Sequence, residues 1–243
     1  YSANGQVAQF GRPEAVASEP VAMEKVATPE TKTIEDLAKL LKIETRQTAK
    51  AVFFMGRYKS EEDEKVTEER MIFSVIRGDL EVNETKVANA AGALGLRPAQ
   101  EDEIKAIGAV AGYASPVGLK KDIFIIADES IEVATNLVSG ANEEGFHQLN
   151  VNYTRDWKAT TVADIGSADE GDACARCGKP LELTRGVEVG NIFQLGTRFT
   201  DALGASFLDE NGKAQSIVMG SYGIGVGRLL ACVVEHSHDD GGI

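Results

Sequence analysis

The sequence is poor in cysteine, short of basic residues and without any long apolar run. Three cysteines in 243 residues are an odd number, which argues against the disulfide framework of a small secreted domain. Lys and Arg number 25 against 38 Asp and Glu, a net charge of −13. That deficit disfavours a broad surface tracking duplex phosphates, because such affinity comes from neutralising them with clustered Lys and Arg. A pocket that takes in one nucleic-acid end stays open, since it needs only one or two phosphate partners. No apolar run approaches the roughly 18 residues of a membrane helix. The opening "YSANGQVAQF" has neither a basic start nor an apolar core, so no signal peptide is expected. It also lacks a Met, so the chain is expected to be a fragment, and a cytoplasmic one. No G-x-S-x-G is present, which leaves a serine nucleophile without its usual turn.

What is present suits a folded, core-forming chain: 43% hydrophobic and 26% charged residues, enough for one large domain or two small ones. Residues 1–25 mix Pro, Ala and Glu and suggest a linker or an extended arm. "TKTIEDLAKLL" places a Thr33 cap before Asp36, with Leu37, Leu40 and Leu41 at helical spacing. "AVFFM", "MIFSVIRGDL" and "DIFIIADESI" read as strands, "NETKVANAAGAL" and "EDEIKAIG" as helices, and "HQLNVNY" as an alternating strand. "YKSEEDEKVTEER" reads as a solvated hairpin loop. Strands interleaved with short helices, without regular βαβ spacing, predict an α+β fold with a mixed sheet. The texture changes between about 165 and 185. The expected domains are an arm over 1–25, a first domain over 26–172 and a second over 173–243. The tail reads as strand, hairpin, strand, Gly-rich turn and helix.

Two motifs in the tail need weighing. "MGSYGIGVGRLL" fails as a dinucleotide fingerprint. Arg228 stands where the third glycine belongs, and no chain remains for the acidic ribose ligand. Glycine at alternate strand positions would instead bare one face, so that a flat ring lies on backbone and Arg228 meets a phosphate. Cys174 and Cys177 form a lone C-x-x-C. A structural zinc wants four ligands, and only Cys232, His236 and His238 remain as candidates, so no bound metal is expected.

A family resemblance extends these readings. "GSYGIGVGRLLA" resembles motif 3 of class II aminoacyl-tRNA synthetases, and "RGVEVGNIFQLGTRFTDALGA" the segment before it in the bacterial-type prolyl enzymes. "TPETKTIEDLAKLL", "QTAKAVFF", "VIRGDLEVNETK", "EDEIKAIGAV" and "GANEEGFHQLNVNYTRD" resemble the YbaK-type editing insertion of those enzymes. The resemblance covers nearly the whole chain. It implies a mixed-sheet editing domain followed by part of the antiparallel class II core, and hydrolysis of alanine mischarged on proline tRNA. It assigns Lys50, Asp128 and His147 as catalytic, and Thr28, Gly112, Ser115, Pro116 and Asn142 as substrate-binding. Gly223, Gly225, Gly227 and Arg228 become ATP-binding groups of the intact enzyme. The implied partners are the CCA end of proline tRNA, proline and alanine, and the remainder of a homodimeric synthetase. Editing needs no cofactor, whereas the intact ligase uses ATP and Mg2+. Two departures stand out: Asn191 occupies a position that is often His in the family, and motifs 1 and 2 are absent.

The chemistry fits these residue types. An aminoacyl ester is already activated, so its hydrolysis needs a placed water and stabilised charge rather than a covalent nucleophile. "GANEEGFHQLNVNYTRD" is then polar because it lines a pocket for an RNA end and a water. Other readings stay open. Asp128 reads also as a cap for the turn after its strand, Thr28 as a turn residue, Lys50 as a solvated charge and His147 as a loop tie. A module that captures the aminoacylated end without cleaving it is the alternative function.

Overall fold

The computed structural model describes residues 2–15, 18–60, 67–119 and 123–242, and the chain divides into two compact units, Tyr1–Glu182 and Leu183–Ile243. In the first unit the elements run β1 (Glu24–Ala27), α1 (Ile34–Leu41), β2 (Ala49–Lys59), β3 (Thr67–Arg77), α2 (Glu84–Ala91), β4 (Gly95–Pro98), α3 (Glu101–Ala106), β5 (Phe124–Asp128), α4 (Glu129–Glu132), β6 (Leu137–Gly140), β7 (Phe146–Val151) and β8 (Thr161–Ala163). The mixed α+β architecture expected from the sequence is present.

The main sheet has the order β4-β2-β3-β5-β8. β2 pairs antiparallel with β3 and β4, whereas β5 lies parallel to β3 and β8 parallel to β5. β3 is the inner strand, and its residues from Ile72 to Arg77 are all buried. Alternation sends them to two cores. Phe73 and Val75 pack with Phe53, Ile104, Ile131 and Trp157 on one side. Ile72 and Ile76 pack with Phe54, Val87, Ile126 and Ile165 on the other. A second sheet, β1-β7-β6, is antiparallel throughout.

Local signals explain the helix that flanks the site. The Thr33 hydroxyl accepts the Asp36 N–H at 3.1 Å, and Lys42 ends α1 in a left-handed conformation. Leu37 is buried, but Leu40 is half exposed, so the apolar stripe is narrower than the leucine spacing suggested. Much of the expected acidic hairpin loop lies outside the described residues, at 61–66. Its flanks, Tyr58–Lys59 and Thr67–Arg70, are paired strand rather than loop.

Two boundaries differ from expectation. Residues 1–25 are not a free linker. Phe10 is buried in the core and bridges Cys174, Arg12 is ion-paired, and Glu24 and Lys25 already belong to β1. Cys174 and its neighbours fold with the first unit, so the division falls at 182/183 rather than 172/173. Sequence texture reports composition, whereas the unit is defined by long-range pairing that composition does not record.

The second unit runs β9 (Gly190–Gly196), α5 (Arg198–Leu203), β10 (Ser206–Leu208), β11 (Ala214–Ser216), β12 (Met219–Ile224) and α6 (Val226–Ser237), with β9 paired to β12 and β10 to β11, each antiparallel. Helix α5 was not anticipated. The glycine alternation does not lie along one strand: Gly223 is in β12, Gly225 caps α6, and Gly227 is within the helix. Arg228 Nη1 donates to the Glu188 carbonyl at 2.6 Å. Cys174 is buried and Cys177 exposed, and no group of three or more potential metal ligands occurs among the described residues. None of the helices among them is long and apolar enough to cross a membrane.

Candidate functional site

A cavity of about 500 Å³ opens between α1, the start of β2, the 111–114 segment and the facing ends of β6 and β7. Lys50, Glu81, Gly112, Gly140 and His147 line it, together with the α1 side chains Ile34, Glu35 and Leu37. The sequence reading thus placed Lys50, Gly112 and His147 around one space, although they lie up to 97 residues apart in the chain, from Lys50 to His147.

His147 comes from β7, opposite Val26 of β1. It is 5% exposed. Its Nδ1 lies 2.6 Å from the hydroxyl of Thr28, which is itself fully buried just past the end of β1. The Thr28 backbone is pinned by its N–H to the Gly145 carbonyl at 2.7 Å and by the Thr31 hydroxyl, which donates to its carbonyl at 2.7 Å. Tyr113 packs against the imidazole with ring centroids 5.4 Å apart. Burial pushes the His147 pKa down to about 4, so the ring is neutral at pH 7. With Nδ1 engaged by Thr28, Nε2 is the nitrogen left for a ligand.

Lys50 is partly shielded, at 20% side-chain exposure, and its ammonium donates to Glu81 Oε1 at 2.6 Å. Glu81 lies in the turn after β3, and nothing in the sequence reading singled it out. Gly112 has a left-handed φ of +82°, and an added Cβ would press on the Lys32 side chain at 3.1 Å. Gly140 is the tighter case. A Cβ there would stand 2.1 Å from the Tyr113 carbonyl carbon and oxygen, so only glycine lets β6 pass the 112–118 loop. Its signal was present in the quoted G-A-N, but a lone Gly says nothing about what passes close to it.

Other expected site residues are not at the cavity wall. Asn142, left-handed at φ +53°, acts as a clamp: its Oδ1 accepts the Ser115 N–H at 2.9 Å, and its Nδ2 donates to the carbonyls of Ser115 and Val117 at 3.0 and 2.9 Å. Ser115 and Pro116 are buried behind that clamp, with the Ser139 hydroxyl 3.2 Å from that of Ser115. These residues shape the 112–118 loop from behind.

Asp128 is the clearest correction. It is fully buried, but its carboxylate is spent on structure. It accepts from Arg12 Nε and Nη2 at 3.1 and 2.7 Å, from the Ser130 N–H at 2.9 Å and from the Ile165 N–H at 3.0 Å. Arg12 continues to Asp164 at 2.5 Å, which Lys86 also holds at 2.9 Å. Burial opposes the charged form of Asp164, but the ion pairs with Lys86 and Arg12 win and hold its pKa below the usual carboxylate range. The capping reading of Asp128 is the one its surroundings match, because strand β5 ends with that side chain turned to the arm and α4.

The polar residues of 140–156 are likewise mostly structural. Asn150 Nδ2 donates to the Ala22 carbonyl at 2.9 Å, and Arg155 donates to the Val21 and Asn150 carbonyls at 2.7 Å each. Asn152 Nδ2 donates to Asn136 Oδ1 at 3.1 Å. They fasten the N-terminal arm and the turns, and His147 alone among them lines the cavity.

The family model for the aminoacyl-tRNA editing domain matches residues 28–155. Over its 243 residues the chain is 46% identical to a proline–tRNA ligase of Salinispora tropica, covering 40% of that protein, and 45% identical to one of Dehalococcoides mccartyi, covering 41%. The chain therefore spans about 40% of the length of these curated relatives. A solved structure assigned provisionally to a trans-editing enzyme for prolyl tRNA synthetase aligns with a TM-score of 0.47 and 18% identity, over 60% of this chain and 87% of that one.

Proposed function

Because the chain belongs to the aminoacyl-tRNA editing-domain family, we propose that the Lys50–His147 cavity hydrolyses the ester of alanine mischarged on proline tRNA, within a larger proline–tRNA ligase. The observation that carries this reading is a cavity lined by both a lysine ammonium and a neutral, held imidazole. Lys50 suits the terminal phosphate or ribose of the RNA end. With the Thr28 hydroxyl donating to Nδ1, the imidazole proton stays on Nε2 and hydrogen-bonds to the ester carbonyl oxygen as negative charge builds there. A ring titrating near 4 is a weak base at pH 7, so donation and positioning suit it better than proton abstraction. Water adds to the carbonyl carbon. The bond to the ribose oxygen then breaks as that oxygen takes a proton from the added water, releasing alanine and a free hydroxyl.

Discrimination follows from size. A synthetic site cannot reject alanine strongly, because a missing methylene is worth only about 1–3 kcal/mol. A second pocket too small for the proline ring supplies the difference. Backbone at Gly112 and Gly140 forms part of the cavity wall, and the reading requires that the part of the cavity taking the amino-acid side chain be too small for the ring. The second unit, with its Gly-rich turn and Arg228, would return the chain to an ATP-using, homodimeric class II core in the cytoplasm. ATP and Mg2+ are expected to matter to the ligase and not to editing.

The test is release of labelled amino acid from Ala-tRNA and Pro-tRNA of the proline isoacceptor. Alanine should be released and proline spared, with the activity lost on His147→Ala in folded protein. Equal cleavage of both esters would sink the reading. Tight binding without release would instead support the capture module.

A further inference from the structure

Glu81 sits beside the proposed cation for the RNA end, and a phosphate ligand does not explain it. A carboxylate at a phosphate site repels the ligand it faces. Yet Glu81 lines the cavity and holds the Lys50 ammonium at 2.6 Å through Oε1. Among the described residues Oε2 has no hydrogen-bond partner. The Glu81 side chain is 81% exposed against 20% for Lys50, so the carboxylate stays open to solvent and to a ligand while it offsets the charge of the more shielded ammonium. Its backbone, by contrast, is fixed. The Ser167 N–H donates to the Glu81 carbonyl at 2.7 Å, Val82 bridges Gly166, and Asn83 caps α2. A firmly held backbone therefore presents a carboxylate with one committed oxygen and one open oxygen.

An aminoacyl ester carries an amino group on the carbon next to the carbonyl, and the protonated form of that group needs an anionic partner. The carboxylates lining the cavity are Glu35 and Glu81. Glu35 lies in the first turn of α1, where a carboxylate has a local reason to be, since it favours the helix N-terminus. Asp128 is consumed by Arg12 and two backbone N–H groups. We infer that Glu81 recognises the α-ammonium of the aminoacyl group through Oε2 while Oε1 fixes Lys50 against the RNA end. This rests on the ester-hydrolase reading of the same cavity and gives it a chemical requirement: the substrate is an ester with a free α-amino group.

The experiment compares alanyl-tRNA with N-acetylalanyl-tRNA, whose amide cannot be cationic. The unmutated chain should cleave the free amine at least tenfold more efficiently. Glu81→Gln should lower kcat/KM on alanyl-tRNA about ten- to a hundredfold, the range for one charge-assisted contact, and leave the acetylated ester within about twofold. Lys50→Ala should lower both esters alike. In parallel, calorimetry follows binding of non-cleavable 3′-alanylamido-adenosine and its N-acetyl form, so a chain that binds without cleaving still decides the matter. There, Glu81→Gln should weaken the free amine about tenfold and spare the acetylated form. An equal effect of Glu81→Gln on both forms would show that it acts only by placing Lys50. No effect would show that it is a surface charge. Either result overturns the inference. Failure of the unmutated chain to cleave any ester, with amine-selective binding intact, would fault the hydrolase reading alone.

Discussion

Replacing Asp128 with Ala should destabilise the first unit rather than silence its cavity. The substitution removes four accepted hydrogen bonds at once, two from Arg12 and one each from the Ser130 and Ile165 N–H groups. Arg12 keeps Asp164, which limits the damage to its charge. The two N–H groups lose this acceptor, and each buried orphan costs about 1–3 kcal/mol. Together these give roughly 3–5 kcal/mol, the range for breaking a buried ion pair by deleting one member. A unit of this size loses roughly 2–4 °C of melting temperature per kcal/mol, so the midpoint should fall by about 6–20 °C. Trp157, the single tryptophan, is packed in the same core cluster as Ala127 and Ile131 and supplies a fluorescence readout of urea and thermal melts. Deacylation per folded molecule, measured well below the new midpoint, should change little. A midpoint shift under about 2 °C, or a large loss of turnover in fully folded Asp128→Ala, would return Asp128 to the reacting site and refute the structural assignment.

Lys50→Ala should reduce deacylation efficiency about ten- to a hundredfold, and the gap should narrow as salt rises, because screening weakens the same contact in the unmutated protein. His147 is neutral when folded with a pKa of about 4, against about 6.5 unfolded. The unfolded chain therefore binds more protons between these values. Its contribution to stability is complete above about pH 6.5 and is lost as pH falls towards 4, about 2 kcal/mol between pH 7 and 5. Urea melts at the two pH values should show that loss, and His147→Gln should remove most of it. A pH-independent difference between the two proteins would count against a buried neutral ring. Gly140→Ala drives a Cβ into the Tyr113 carbonyl, so it should cost about 1–3 kcal/mol, the range for overpacking, and depress deacylation beyond the stability loss. Wild-type melting and turnover would show that the β6 crossing has slack.

The sequence revealed elements whose determinants are local and hid those made by distant partners. Helix α1 was legible because Thr33, Asp36 and the leucines that follow carry its cap and stripe within nine residues. The inner strands β3 and β5 were legible as dense apolar runs. Strands β1, β4 and β6 have four residues each, too few for alternation to stand out, and they exist through pairing with β7 and β2. At the site, Lys50 and His147 were found through the family resemblance. Asp128 was misplaced because its partner Arg12 lies 116 residues away in a stretch that looks like linker. Glu81 was passed over because an exposed carboxylate after a strand has no pattern of its own. Its meaning comes only from the ammonium across the cavity.

The docking of the arm also orders events in time during synthesis. Arg12 meets Asp128 across 116 residues and Asp164 across 152. At about 5–20 residues per second, a ribosome takes roughly 8–30 s to reach Asp164 after Arg12. Through most of that interval β1 lacks β7 and Thr28 lacks His147. The arm is thus made well before the partners that fasten it, and the cavity closes only when nearly the whole first unit has emerged. Substitutions at Phe10 or Arg12 should therefore show first as a lower yield of folded chain in the cell.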